Sequence, residues 1–196
     1  MLKYYIEEVI CMKTLFIDTH SERLDIAVID GDKVFNKVLM ANKSHSEIAI
    51  PTLQEVLNSA KLELKDIDEI IVVNGPGSFT GVRIGVTIAK TIAYSLNIKI
   101  KTITSLEALG VSEKDLFDII CIKDSKGAYS SLYKNGSFTD YMYQSSKEFE
   151  KYAKNYKVSE NIINDYLKII EYMKDKKSIN PHSVNPVYIK TIEVLK

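Results

Sequence analysis

Between positions 74 and 85 the chain reads Asn-Gly-Pro-Gly-Ser-Phe-Thr-Gly-Val-Arg-Ile-Gly, set between an apolar run and a helical pattern. Glycines at such a junction allow a left-handed backbone and close approach, and a helix N-terminus offers free N–H groups to an anion. Gly75, Gly77 and Ser78 are therefore candidate phosphate contacts. The run is not a GxxxxGK[ST] phosphate loop, because Gly81 is followed by Val82 and not by lysine. A tight turn that docks a helix explains the same glycines equally well. Asp18, at the end of a strand-like run, is a candidate for orienting a metal-bound phosphate. No second carboxylate in a comparable loop matches it, and an Asx turn is its simpler role.

Other chemistry is sparse. His20, His45 and His182 lack a second His or Cys at three or four residues, so no helical face presents a metal pair. Ser21, Ser44 and Ser46 lie near His20 and His45 without the order of a catalytic triad. No catalytic residue and no protein metal site is expected. Cys11 and Cys121 cannot build a disulfide framework or a four-thiolate zinc site, and read as inert thiols in a reducing compartment.

Positioning these residues takes an α/β framework. Residues 13–18, 24–29 and 34–40 are strand-like, with Asp30-Gly31-Asp32-Lys33 as a hairpin signal, and predict a three-strand antiparallel meander. Ser44 with Glu47 resembles a capping box, and Ile48, Leu53, Val56, Leu57 and Ala60 continue at helical spacing across Pro51. The unbroken run Ile70, Ile71, Val72 and Val73 fits a strand buried on both faces and is expected centrally in a sheet. A helix over 78–96, a strand over 98–103 and a second capping box at Thr104 and Glu107 follow.

Along the 78–96 helix Gly81, Gly85, Ala89 and Ala93 recur every fourth residue, a stripe of small side chains that admits a second backbone. Each interior glycine costs about 1 kcal/mol relative to alanine, so a close contact must compensate. That contact is either the 48–60 helix of the same chain or a helix of another protein.

Past Gly110 the character changes, since nine of the twelve tyrosines lie between Tyr129 and Tyr188. The pattern predicts a strand over 118–123, then a hairpin of 128–134 and 137–143 around Asn135-Gly136 as a type I′ turn. A helix capped by Ser145 and Glu148 follows, then an amphipathic helix after Ser159 carrying Ile162, Ile163, Tyr166, Leu167, Ile170 and Met173. The chain divides into an extension at 1–11, either untranslated or disordered, a first lobe at 12–110 and a smaller second lobe at 111–196.

Charge narrows the partners. The 26 Lys plus Arg against 26 Asp plus Glu leave zero formal charge over 196 residues, which is no footprint for gripping nucleic acid alone. No run approaches the ~18 apolar residues of a membrane helix, and Glu7 and Glu8 interrupt the apolar part a leader would need. A cytoplasmic protein without membrane contact is expected.

The segments IDTHSERLDIAVIDGD, HSEIAIPTLQEVL, NGPGSFTGVRIGVTIAKTIAYSL and ITSLEALG occur in that order. Together they resemble the TsaB family, also called YeaZ, bacterial subunits for threonylcarbamoyladenosine modification of tRNA. The likeness is specific over about residues 13–110 and weaker beyond, where KDSKGAYSSLY and NPVYIK support it. It implies an actin-like ATPase fold of the ASKHA, ribonuclease H-like type, with two lobes, each a mixed sheet flanked by helices. It also implies paralogy to the catalytic subunit TsaD. That subunit carries an HxxxH metal pair on a helix whose counterpart here reads Ser105-Leu106-Glu107-Ala108-Leu109, so the resemblance implies a noncatalytic subunit.

The resemblance further implies pairing with TsaD through first-lobe helices, TsaE docking on that pair, and tRNA reached only through the complex; a separate reading uses the same helical surface isologously, in a homodimer of the chain alone. In the pairing with TsaD, Ile48, Leu53, Gly81, Val82, Gly85 and Ala89 form the partner interface. No cofactor is held tightly, and ATP or ADP sits at the complex interface. His20 stands where the family usually has a small hydroxyl residue, and the second lobe is short for the family. The rival reading is a stand-alone actin-fold ATPase or kinase that uses Asp18 and the Gly75 to Gly81 loop for Mg-ATP.

Overall fold

The computed structural model describes residues 12–40, 44–114 and 116–190, and the expected extension at 1–11, Cys11 included, lies outside them. Strands β1 (Lys13–Asp18), β2 (Arg23–Asp30) and β3 (Lys33–Met40) form the antiparallel meander that the alternation and the hairpin signal predict. Strand β4 (Glu69–Val73) adds parallel to β1, and β5 (Lys99–Ile103) parallel to β4, in the order β3-β2-β1-β4-β5. All five β4 residues are buried, as an unbroken apolar run requires. The middle position nevertheless belongs to β1, because β5 alone lies outside β4.

Helices cover both faces of this sheet. On one side α1 (His45–Ala60) and α2 (Phe79–Leu96) pack Leu53, Val56, Val82, Val86 and Ala89 onto Leu15, Ile17, Ile26, Ile70 and Val72. Helix α1 continues through Pro51, but its expected capping box is not formed. The Ser44 hydroxyl lies 2.6 Å from that of Ser46 instead, and the first turn closes on the backbone bond from Glu47 N to Ser44 O at 2.9 Å. On the other side α3 (Ser105–Ser112) and α5 (Tyr166–Met173) bring Ala108, Ile169 and Met173 against Phe16, Ala27, Ile29, Ile71 and Val73. Buried Lys101 reinforces that face, its Nζ lying 2.9 Å from Glu69 and donating to Met173 O at 3.0 Å near the end of α5.

Helix α5 starts at Tyr166 under the cap of Asp165, later than its apolar spacing suggests, and Ile162 and Ile163 are each 65% exposed. The cause is local. Asn161 Oδ1 accepts from Ile163 N at 3.0 Å, and its Nδ2 donates to Ile163 O and Leu109 O, both at 2.9 Å. A side chain that satisfies the backbone in this way competes with the helix.

The second sheet holds β6 (Ile119–Lys123), β7 (Gly127–Lys134), β8 (Ser137–Ser145) and β9 (Val158–Ser159) in the order β8-β7-β6-β9, antiparallel except for β6 with β9. Asn135 at φ 53° and Gly136 at φ 77° make the type I′ turn expected between β7 and β8. Helix α4 (Ser146–Ala153) carries the expected Ser145 and Glu148 capping box, and α3 carries that of Thr104 and Glu107. Cys121 is buried in this sheet, where desolvation pushes its thiol up to about 11. That protonated state suits an inert thiol.

The two sheets are stitched together. Leu106 and Leu109 of α3 belong to the same cluster as Ile120, Tyr129 and Phe138 of the second sheet. Residues 179–190 then run back as a strap. Ile179 bridges to Ile100, Val184 is 0% exposed in the first core, and Lys190 Nζ reaches Tyr143 Oη at 2.9 Å in the second lobe.

Candidate partner interface and interlobe site

The small-residue stripe of α2 turns inward. Thr19, just beyond β1, donates from Oγ1 to Gly81 O at 2.7 Å, and a methyl on Gly85 would fall on the Thr19 Oγ1, with Thr19 Cγ2 at 3.4 Å and Ile17 Cγ2 at 3.5 Å. Leu53, Val82 and Ala89 are 3%, 2% and 0% exposed within the first core, and Gly81 and Gly85 are buried. These five expected interface residues therefore hold the helices to their own sheet, which corrects the assignment to a partner. Ile48 is half-buried against the same core. Spacing reveals which side chains share a helical face, but not what covers it. The outward faces carry other residues: Phe79, Arg83, Thr87 and Tyr94 on α2, and Ile50 on α1.

The glycine loop is likewise used internally. Ser78 N donates to His20 O at 2.6 Å, and Ser78 Oγ accepts from Gly81 N at 3.2 Å as the cap of α2. Gly75 has φ +100°, and a Cβ there would lie 3.0 Å from Val187 O of the strap. A Cβ on Gly77 would fall on His20 O. The close approach that these glycines permit is thus to the chain itself, and the Ser78 N–H is already spent. A tight turn that docks a helix is the role the geometry gives Gly75, Gly77 and Ser78. Ser105 belongs to the same knot, its N–H donating to Gly75 O at 2.9 Å and its hydroxyl to Pro76 O at 2.5 Å.

Asp18 lies in a buried polar network that the sequence reveals only in part. Its Oδ1 accepts from His20 N at 3.0 Å and lies 2.6 Å from His20 Nδ1, while Oδ2 accepts from Asn164 Nδ2 at 3.0 Å. The same Asn164 Nδ2 donates to Asp25 Oδ2 at 3.0 Å, and Tyr166 Oη donates to Asp25 Oδ1 at 2.7 Å. Asp18 and Asp25 are register partners in β1 and β2, each 3% exposed. A second carboxylate therefore does stand beside Asp18, in a strand and not in a loop. Burial pushes the Asp18 carboxyl up, but the charge and hydrogen bonds of His20, with Asn164, outweigh it and hold it below the usual range. Burial also raises Asp25, and there the hydrogen bonds from Tyr166 and Asn164 fall short, leaving it above its ordinary value.

Each oxygen of the two carboxylates already has a partner from the chain. The adjoining cleft of about 500 Å³ is lined by Val34, Ser112, Asn161, Asn164, Tyr166 and Leu167 among others, but by none of Asp18, Gly75, Gly77 and Ser78. Ser105 and Leu109 are 0% and 1% exposed. Among the described residues no three His, Cys, Asp or Glu side chains converge as metal ligands, and no helix is long and apolar enough to cross a membrane.

The profile of a family described as TsaD, tRNA N6-adenosine threonylcarbamoyltransferase, matches residues 39–164. A Bacillus subtilis (strain 168) protein named tRNA threonylcarbamoyladenosine biosynthesis protein TsaB is 40% identical over 131 residues, 64% of this chain and 57% of the relative. The chain belongs to the TsaD family, in its TsaB branch. An Escherichia coli (strain K12) protein of the same TsaB name is 32% identical over 95 residues, 48% of this chain and 41% of the relative. The chain thus spans about half the length of these TsaB relatives. The YeaZ structure from Pseudomonas aeruginosa superposes with a TM-score of 0.75 at 15% identity, covering 90% of this chain and 99% of that one. That likeness shows the fold, two lobes with a mixed sheet in each, and together with the family match it is the actin-like ASKHA arrangement.

Proposed function

We propose that this chain is a noncatalytic scaffold subunit that binds and activates TsaD in a TsaB–TsaD–TsaE complex, for threonylcarbamoyladenosine modification of the tRNA adenosine beside the anticodon. The observation that carries this reading lies on α3. The positions matching the TsaD metal pair are Ser105 and Leu109, one hydrogen-bonded to Pro76 O and the other packed with the second-sheet aromatics. Neither side chain supplies an imidazole, and neither position is open to a ligand. Chemistry then belongs to the partner, and the outward faces of α1 and α2 remain for docking. A chain of zero formal charge reaches tRNA through the complex and works in the cytoplasm without contact to a membrane. ATP or ADP belongs at the complex interface, no cofactor is held tightly by this chain, and a homodimer is its form when alone.

Size-exclusion chromatography with light scattering, on the chain alone and mixed with TsaD from the same organism, tests the reading. A one-to-one species replacing the free form is the expected result, and two unmixed peaks at micromolar concentration would reject it. The rival reading, an ATPase or kinase, draws on the juxtaposition of Asp18 and Asp25. It requires ATP turnover by the purified chain, lost in Asp18→Asn, whereas the scaffold reading expects none.

A further inference from the structure

The first turns of α2 hold an arginine rigid and leave most of its hydrogen-bonding capacity unused. Arg83 Cζ sits 3.7 Å from the centroid of the Phe79 ring and 5.8 Å from that of Tyr188, while Nε donates to Tyr188 Oη at 2.8 Å. The two rings touch each other, centroid to centroid at 5.4 Å. Among the described residues no carboxylate pairs with Arg83, and none bonds its terminal nitrogens. Helix α2 contains no Asp or Glu at all, and its other cation, Lys90, is spent on His182 O and Val184 O. Phe79 and Tyr188 are 46% and 49% exposed, and farther along the helix Tyr94 is 66% exposed with its ring against His182.

An exposed arginine normally gains little from being ordered, because fixing its long side chain costs rotamer entropy. Stacked on rings, the guanidinium has met that cost and presents its fork in a fixed plane, which suits two-point recognition of a carboxylate. Arginine flanked by exposed aromatic rings is also the composition of protein interface anchors. A nucleic acid would call for a track of cations along its phosphates, whereas here the neighbouring cation is already tied to carbonyls.

We propose that Arg83, stacked on Phe79 and tied to the Tyr188 hydroxyl, is a carboxylate-reading anchor of the surface that receives the TsaD-type partner, whose matching side chain is an Asp or Glu set among apolar residues. This rests on the partner reading above and names the contact within it. The hydroxyl tie comes from the strap, so Tyr188 acts as the positioning residue for Arg83.

The test uses the full chain and full-length TsaD from the same organism, with affinity measured by calorimetry at several salt concentrations. Arg83→Gln is expected to weaken binding by about tenfold or more and to flatten its salt dependence. Arg83→Lys recovers only part, since a point charge lacks the fork, and Tyr188→Ala gives an intermediate loss. Thermal melts accompany each variant, Arg83 being at the surface. Unchanged affinity in Arg83→Gln overturns the proposal while leaving the partner reading intact, and so does a lowered melting temperature with unchanged affinity, which would make the stack only a tie for the strap. Loss of tRNA binding by the variant, with TsaD binding intact, assigns Arg83 to a phosphate and also overturns it. Absence of any complex with the wild-type chain removes the partner reading and this proposal together.

Discussion

Asp18 and Asp25 are neighbours with opposite protonation preferences, and this sets a pH signature. Asp18 is depressed, so its stabilisation is present above the unfolded carboxylate range and fades as pH falls through the lower folded value. Asp18→Asn should cost about 1–2 kcal/mol at pH 7, with the gap closing in acid. Asp25 is raised, so its favourable contribution is full below the unfolded value and is lost as pH rises through the folded one. Asp25→Asn should therefore be most favourable relative to the parent at pH 7 and lose that relative advantage as pH falls into the carboxylate range. Urea melts of both variants at pH 7 and pH 4 check the two signs. Asp18 is legible in the sequence because it ends an apolar run. Asp25 hides inside one, and its signal is the register: in the predicted meander it pairs directly with Asp18. Asn164 stands 146 residues from Asp18, so no local pattern announces it.

Elements are legible where the information is local. The meander, the Asn135-Gly136 turn and the capping boxes of α3 and α4 follow from alternation, left-handed turn residues and an acidic residue three positions past a hydroxyl cap. The failures share another cause. The hydroxyl of Ser46 diverts the Ser44 cap, and the Asn161 amide diverts the start of α5, both through side-chain bonds that compete with the helical backbone. The stripe on α2 is visible in the sequence, but its neighbour, Thr19, is a tertiary fact. From that contact, Gly85→Ala should lose about 1–2 kcal/mol despite the helix propensity it gains, because its methyl displaces the Thr19 hydroxyl from Gly81 O. The double variant Thr19→Ala with Gly85→Ala should fall short of the sum of the single losses, a coupling readable in a double-mutant cycle of denaturant melts. Gly136→Ala, at φ 77°, should cost about 1 kcal/mol in the same assay without moving the α2 contacts.

At the scale of the molecule, the sheets are held by segments that cross between them. Val184 lies in the first core while Lys190, six positions on in the numbering, is bound to Tyr143 in the second lobe. Val184→Ala should cost about 2 kcal/mol and raise amide exchange in β5 and α2 together, since the strap leans on both. The division at residue 110 is accordingly one of composition more than of mechanics. Chain order adds a consequence for synthesis. When a ribosome has made residues 12–110, every strand of the first sheet exists, yet the face bearing Phe16, Ala27, Ile29, Ile71 and Val73 has only Ala108 to meet it. Its main cover, Ile169 and Met173, and the plug at Val184 are encoded far downstream. The 12–110 segment therefore emerges as an open apolar slab, a client for nascent-chain chaperones, and is covered only once residues 166–184 have followed it.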